Sequence, residues 1–167
     1  MAKLLTVNKN GLYCKVGNFY IDPWKPVDLA LITHGHSDHM RAGMKHYICH
    51  AHTVPILKLR IGAQESVRAV AYREVFEING VKISFHPAGH IIGSSQIRLE
   101  YEGEVWLFTG DYKIDDDGVS EPFELVPCDH FITESTFGLP IYKFESPQTI
   151  YADINRWWRE NAEAGFN

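Results

Sequence analysis

The sequence predicts an α/β domain, and three observations carry that reading. Short apolar runs separated by Gly, Asn and Pro recur through the first half. Short segments that suit helices alternate with them, and one longer stripe at helical spacing follows near the end. Such alternation of strands with helices is the pattern of a layered α/β fold.

The first three runs, Leu4–Val7, Leu12–Val16 and Phe19–Ile21, read as strands separated by Asn8-Lys9-Asn10-Gly11 and Gly17-Asn18. Gly and Asn tolerate positive φ, so both separators suit tight turns. Pro23 and Pro26 end the third strand. Asp28–Thr33 reads as a buried strand, centred on Leu29-Ala30-Leu31-Ile32. Short helices are expected near Ser37–Ala42, with Ser37 as a cap, and near Thr53–Arg60. Val81–Phe85, Ser95–Tyr101, Val105–Thr109 and Phe131–Thr133 are further strands, with Glu102-Gly103-Glu104 as a hairpin turn. After Gly138 the pattern changes: Ser146-Pro147 is a helix start, and Ile150, Ile154, Trp157 and Trp158 form a stripe whose plain reading is core packing.

Bulk properties exclude several classes. The 167 residues suffice for one hydrophobic core. Hydrophobic residues make up 45% and charged residues 22%, which argues against global disorder. The net charge of −5 does not advertise a nucleic-acid binder, although bound metal ions can supply positive charge that a residue count misses. Three scattered cysteines, Cys14, Cys49 and Cys128, read as reduced thiols of a cytoplasmic protein. The opening segment lacks the long apolar stretch of a secretory signal, and no apolar run reaches membrane-spanning length, so no membrane association is expected.

The chemistry sits in Thr33-His34-Gly35-His36-Ser37-Asp38-His39, directly after the buried strand. In an extended segment, positions i and i+2 point the same way, so His34 and His36 can aim at one ion. Gly35 between them allows a sharp turn. Asp38 and His39 lie beyond it and can aim at a second ion. Imidazole plus carboxylate suits zinc, with manganese and iron as next choices. His86-Pro-Ala-Gly-His90 reads as a loop, and His90 is preferred as the residue completing the first ion. Asp111, ending Phe108-Thr109-Gly110-Asp111, can bridge two cations, which sit roughly 3.5–4 Å apart in two-metal hydrolases. His50-Ala-His52 copies the i, i+2 spacing without a following carboxylate and reads as structural. Asp115-Asp116-Asp117-Gly118 reads as a solvated turn, because a calcium loop needs alternating ligands and a distal glutamate.

The ordered set His34, His36, Asp38, His39, His90 and Asp111 resembles the metallo-β-lactamase superfamily. Asp22 matches that family's early strand-end aspartate, which orients metal-bound histidines. Ile132-Thr133-Glu134-Ser135-Thr136-Phe137-Gly138 resembles the first signature of the β-CASP nuclease branch. Within that branch, Phe19-Tyr20-Ile21-Asp22-Pro23-Trp24-Lys25-Pro26-Val27-Asp28 and His86–Ser94 are similar to the bacterial ligase-associated DNA exonucleases.

The resemblance implies an αββα sandwich of which this chain is the amino-terminal part, residues 1–140, followed at 141–167 by the start of an inserted cap domain. It implies two Zn2+ ions, or Mn2+, held by His34, His36, Asp38, His39, His90 and Asp111. It implies catalytic roles for Asp38, Asp111 and Glu134, with Glu134 orienting a general-acid histidine. Later family motifs have no counterpart here, since His130 is the only histidine beyond Asp111, so the second ion is expected to be short of a ligand and this stretch alone impaired. The implied activity is metal-dependent phosphodiester hydrolysis of nucleic acid, DNA before RNA, in DNA repair and in functional association with a DNA ligase. Rival readings are an RNA-processing nuclease of the same fold, a thioesterase-type small-molecule hydrolase, and a non-catalytic truncated scaffold.

Overall fold

A computed structural model describes residues 3–62 and 66–165. The chain divides into two compact units, Met1–Glu134 and Ser135–Asn167. The first unit holds two sheets. One has six strands in the order β1 (Leu5–Asn8), β2 (Gly11–Cys14), β3 (Phe19–Ile21), β4 (Leu29–Ile32), β5 (His46–His50) and β6 (Ser66–Val70). Its first three strands form an antiparallel meander, and β3 to β6 run parallel. The other sheet has the order β11 (His130–Ile132), β10 (Glu104–Phe108), β9 (Ser95–Tyr101), β8 (Val81–Pro87) and β7 (Phe76–Ile78). Strand β9 is antiparallel to both neighbours, while β10 and β11 are parallel, so β8, β10 and β11 share one direction.

The apolar pattern explains the layers. Ile21, Leu31, Ile48 and Val70 of the first sheet face Phe76, Ile83, Phe85, Ile97 and Leu99 of the second, making the main core. Ala30, Ile32, Tyr47 and Cys49 point the opposite way and pack with Met40, Met44 and Leu57 of α1 (Val54–Ile61). Strand β4 is therefore covered on both faces, which is why it reads as an unbroken apolar run rather than an alternating one. Full burial of each such side chain contributes about 1.5–3 kcal/mol.

Two expectations are corrected. No helix forms at 37–42, where the chain makes turns. The Tyr47 hydroxyl donates to the Arg41 carbonyl at 2.9 Å and accepts the Met44 N–H at 3.0 Å, so this backbone is satisfied by a side chain instead of a helical ladder. Helix α2 (Pro147–Glu163) starts at Ser146 as expected, its hydroxyl accepting the Thr149 N–H. Its stripe is not core, however: Ile150, Ile154, Trp157 and Trp158 are all exposed, the two tryptophans by 62% and 68%. Among the described residues, no helix is long and apolar enough to cross a membrane.

Candidate metal centre

The site residues follow the carboxyl ends of parallel-running strands. Asp22 follows β3, His34 follows β4, His90 follows β8, Asp111 follows β10 and Glu134 follows β11. Open α/β sheets place their ligands at this edge. Burial fixes the centre's floor: His34 and Thr33 are buried, held where β4 leaves the core.

Four of the sequence-predicted residues converge. Ligand atoms of His34, His36, His90 and Asp111 all lie within 4.8 Å of one another. His36 Nδ1 is 3.0 Å from His34 Nε2 and 3.1 Å from His90 Nε2. Three ring nitrogens gathered beside a carboxylate are a donor set that one cation can satisfy together. This donor set fits zinc.

His39, whose ring lies 4.2 Å from that of His34, approaches the other Asp111 oxygen, with Asp38 next to it. Asp111 Oδ2 is 3.7 Å from both His34 Nε2 and His90 Nε2, whereas its Oδ1 is 3.2 Å from His39 Nε2. Asp38 Oδ2 is 3.7 Å from the same His39 nitrogen, and the Asp38 side chain is largely exposed. The two oxygens of one carboxylate thus approach different imidazoles, Oδ2 those of His34 and His90 and Oδ1 that of His39. Asp22 lies behind His39, its Oδ2 accepting from Nδ1 at 2.8 Å. Its backbone has φ 43, a left-handed conformation that is sparsely populated for non-glycine residues and is held here by the Asp22 N–H bond to the Leu31 carbonyl.

Electrostatics separate the histidines. Burial, reinforced by the charges His39, His90 and His36 would carry, pushes His34 down to about 2, so it is neutral at ordinary pH and able to bind metal. Burial also lowers His90, against the opposing pull of Asp111 and, more weakly, Glu134. Burial opposes charge on His39 too, but its hydrogen bond to Asp22 and the charges of Asp22, Asp111 and Asp38 outweigh it and raise the pKa. Through the pull on His90, half-buried Glu134 belongs to the electrostatic surroundings of the centre.

The remaining histidines have other partners. His50 stacks on Tyr72 at 3.6 Å and its Nδ1 accepts the His52 N–H. His52 pairs with Glu121 at 2.7 Å. His130 stacks on Trp106 at 3.9 Å. His86 sits between the Ser84 hydroxyl and Glu124, each at 3.0 Å. That chain has the order of a nucleophile, base and acid, but Ser84 is 3% exposed on a mid-sheet strand, so the three act as a strut. Asp116 and Asp117 accept backbone N–H groups of residues 118–120, as in a self-contained turn. Cys14, Cys49 and Cys128 are free thiols, Cys49 being pushed up to about 12 by burial.

Sequence reasoning assigned no role to two contributors, Thr33 and Ser94. Thr33 bonds both Asp22 and His34. Ser94 accepts the N–H groups of His90 and Ile91, fixing the His90 loop. Gly35 lies at the expected bend and also provides room, since a Cβ there would meet Ile56 of α1 at 2.8 Å. Thr33 opens the histidine motif and Ser94 ends the His86–Ser94 stretch, but neither position says what its side chain bonds.

No protein-family model matches the chain. Individual relatives do. A "Probable DNA ligase" of Opitutus terrae is 30% identical over 153 residues, covering 90% of this chain and 15% of that protein. An "RNase J-like protein" of Methanocaldococcus jannaschii is 29% identical over 167 residues, covering 84% of this chain and 39% of that one. "Endoribonuclease YSH1" of Eremothecium gossypii is 26% identical over 130 residues, covering 59% of this chain and 17% of the relative. The chain thus spans well under half the length of these relatives. The two mixed sheets form part of an αββα sandwich, and the relatives matched along the chain are β-CASP members of the metallo-β-lactamase superfamily, the branch that its motifs resemble.

Proposed function

We propose that this chain forms the metal-holding part of a nuclease that hydrolyses phosphodiester bonds in nucleic acid. The observation that carries the reading is Asp111, whose two oxygens face different nitrogen groups, Oδ2 toward His34 and His90 and Oδ1 toward His39. His34, His36 and His90 would hold one divalent ion, and His39 with Asp38 a second, Asp111 being shared. We read the ions as two Zn2+, with Mn2+ as the alternative. Bound there, they would supply Lewis acidity and lower the pKa of a water toward neutrality.

The chain's own residues supply the rest. Asp22 holds His39 with Nε2 toward Asp38 and Asp111. Asp38, largely exposed, lies on the open side, where substrate arrives. Glu134 adds negative charge near His90 and would orient a proton-donating group on the leaving side. Residues 141–167 would belong to a cap domain. The side of Asp111 with a single imidazole is the one we expect to bind its ion weakly, and the 167 residues by themselves to turn over slowly.

The finer reading is a cytoplasmic DNA exonuclease working with a ligase in repair, supported by the ligase name of one relative. The names of the other two favour RNA processing, which is the second reading. The test is a panel of single-stranded DNA, duplex DNA, RNA and a thioester, offered to the purified protein loaded with zinc or manganese. Cleavage of nucleic acid that is lost on His36→Ala supports the proposal, and the preferred polymer separates the two readings. Thioester turnover without nucleic-acid cleavage, or normal cleavage by His36→Ala, overturns it.

A further inference from the structure

We infer that the Thr33 hydroxyl is a positioning group through which one carboxylate, Asp22, sets the metal-facing tautomer of a histidine on each side of Asp111. The inference rests on the reading of His34 and His39 as metal-holding residues and adds how they are held. Asp22 Oδ1 accepts the Thr33 N–H at 2.9 Å, and its Oδ2 accepts the Thr33 hydroxyl at 2.6 Å. An ionised carboxylate has no proton to give, and a hydroxyl has one. At 2.6 Å that proton lies toward Asp22. The hydroxyl therefore presents only lone pairs to His34 Nδ1, 3.0 Å away, so the shared proton there belongs to His34.

His34 Nε2 is then bare, and it is this atom that faces His36 Nδ1 and Asp111 Oδ2. His39 repeats the logic directly: its Nδ1–H donates to Asp22 Oδ2 at 2.8 Å, leaving Nε2 bare toward Asp111 Oδ1. One buried acid thus fixes two imidazoles, His39 by contact and His34 through Thr33. The geometry is over-determined, because Asp22, Thr33 and His34 are all buried and cannot borrow water as a substitute partner. Groups that orient a metal-binding imidazole in this way typically change metal affinity by ~10–100-fold when removed.

The experiment compares the wild-type chain with Thr33→Val, which keeps the shape and removes the hydroxyl, and Thr33→Ser, which restores it. Imidazole nitrogen NMR of the metal-free proteins reads the His34 tautomer, and zinc competition with a chromophoric chelator reads affinity. The expected result is an Nδ1–H tautomer for His34 in the wild type and in Thr33→Ser. Thr33→Val should lose that preference and bind zinc ~10–100-fold more weakly, with Thr33→Ser close to the wild type. A wild-type His34 protonated on Nε2 overturns the inference even if the valine variant does not fold. So does a folded Thr33→Val with unchanged tautomer and zinc affinity. If the wild type takes up no zinc while His34 shows the Nδ1–H tautomer and Thr33→Val loses it, the relay stands and the metal reading falls.

Discussion

Two neighbouring parallel strands of one sheet end in the same short pattern, and only one of them builds a centre. Strand β4 runs into His34-Gly35-His36, and β5 runs into His50-Ala51-His52. His34 and His36 meet His90 and Asp111, which arrive from the other sheet. His50, only 4% exposed, stacks on Tyr72, and His52 turns to Glu121. The i, i+2 spacing is therefore only half a signal. What separates the two ends is what meets them: a third imidazole and a carboxylate following strands of the opposite sheet in one case, a ring after β6 and a loop glutamate in the other.

The largest effect should follow from removing the element that the β5 end lacks. Asp111→Asn replaces a carboxylate that faces both nitrogen groups with an amide that cannot serve both. We expect zinc affinity to fall by at least ~100-fold, beyond the range for residues that merely orient ligands. Chelator competition measures it, and an unchanged affinity would show that the difference between the two strand ends lies elsewhere.

A smaller effect tests how tightly the sheets are docked at the centre. Gly110 has φ 57, and a Cβ there would lie 2.8 Å from Thr33 Cβ. Gly110→Ala should cost about 1–3 kcal/mol of folding stability, through overpacking and a left-handed backbone together. Denaturant unfolding reads this directly.

The third effect belongs to the β5 end. Burial, with a contribution from His52 against the opposing pull of Glu121, pushes His50 from 6.5 down to about 4. Between those values the unfolded chain holds a proton that the folded chain does not, so stability falls as pH drops through this window and His50 adds no pH dependence above it. His50→Asn keeps an acceptor for the His52 N–H but cannot titrate. In chelator, the wild type should lose on the order of 1–2 kcal/mol more than His50→Asn between about pH 7 and about pH 5. Parallel pH curves for the two proteins would mean that His50 is not held neutral by its surroundings.

Much of this was legible in the sequence, and the failures have physical causes. Phe19–Ile21 and Ser95–Tyr101 form strands at the bounds their patterns predict, because turn residues flank apolar alternation there. His46–His50, Ser66–Val70 and Phe76–Ile78 were not predicted as strands. The first has a histidine at each end of a three-residue apolar run, the second is mostly exposed, and the third has three residues; pairing with neighbours, not local pattern, makes them strands. The histidine and aspartate motifs stood out because their spacing follows strand ends. The roles of Thr33 and Ser94 did not, because each is defined by its hydrogen-bond partners: Asp22, eleven residues before Thr33, and the backbone of the His90 loop for Ser94. The Trp157 and Trp158 stripe shows the converse limit, since helical spacing marks an apolar face without saying what covers it.

The central claim is that the β4 end, and not the β5 end, is the metal site. Zinc titration of the 167-residue chain beside His36→Ala and His52→Ala tests it most directly. The account predicts one tightly held ion in the wild type, its loss in His36→Ala, and an unchanged curve in His52→Ala. Equal loss in both variants, or no zinc bound by the folded wild type, would contradict it.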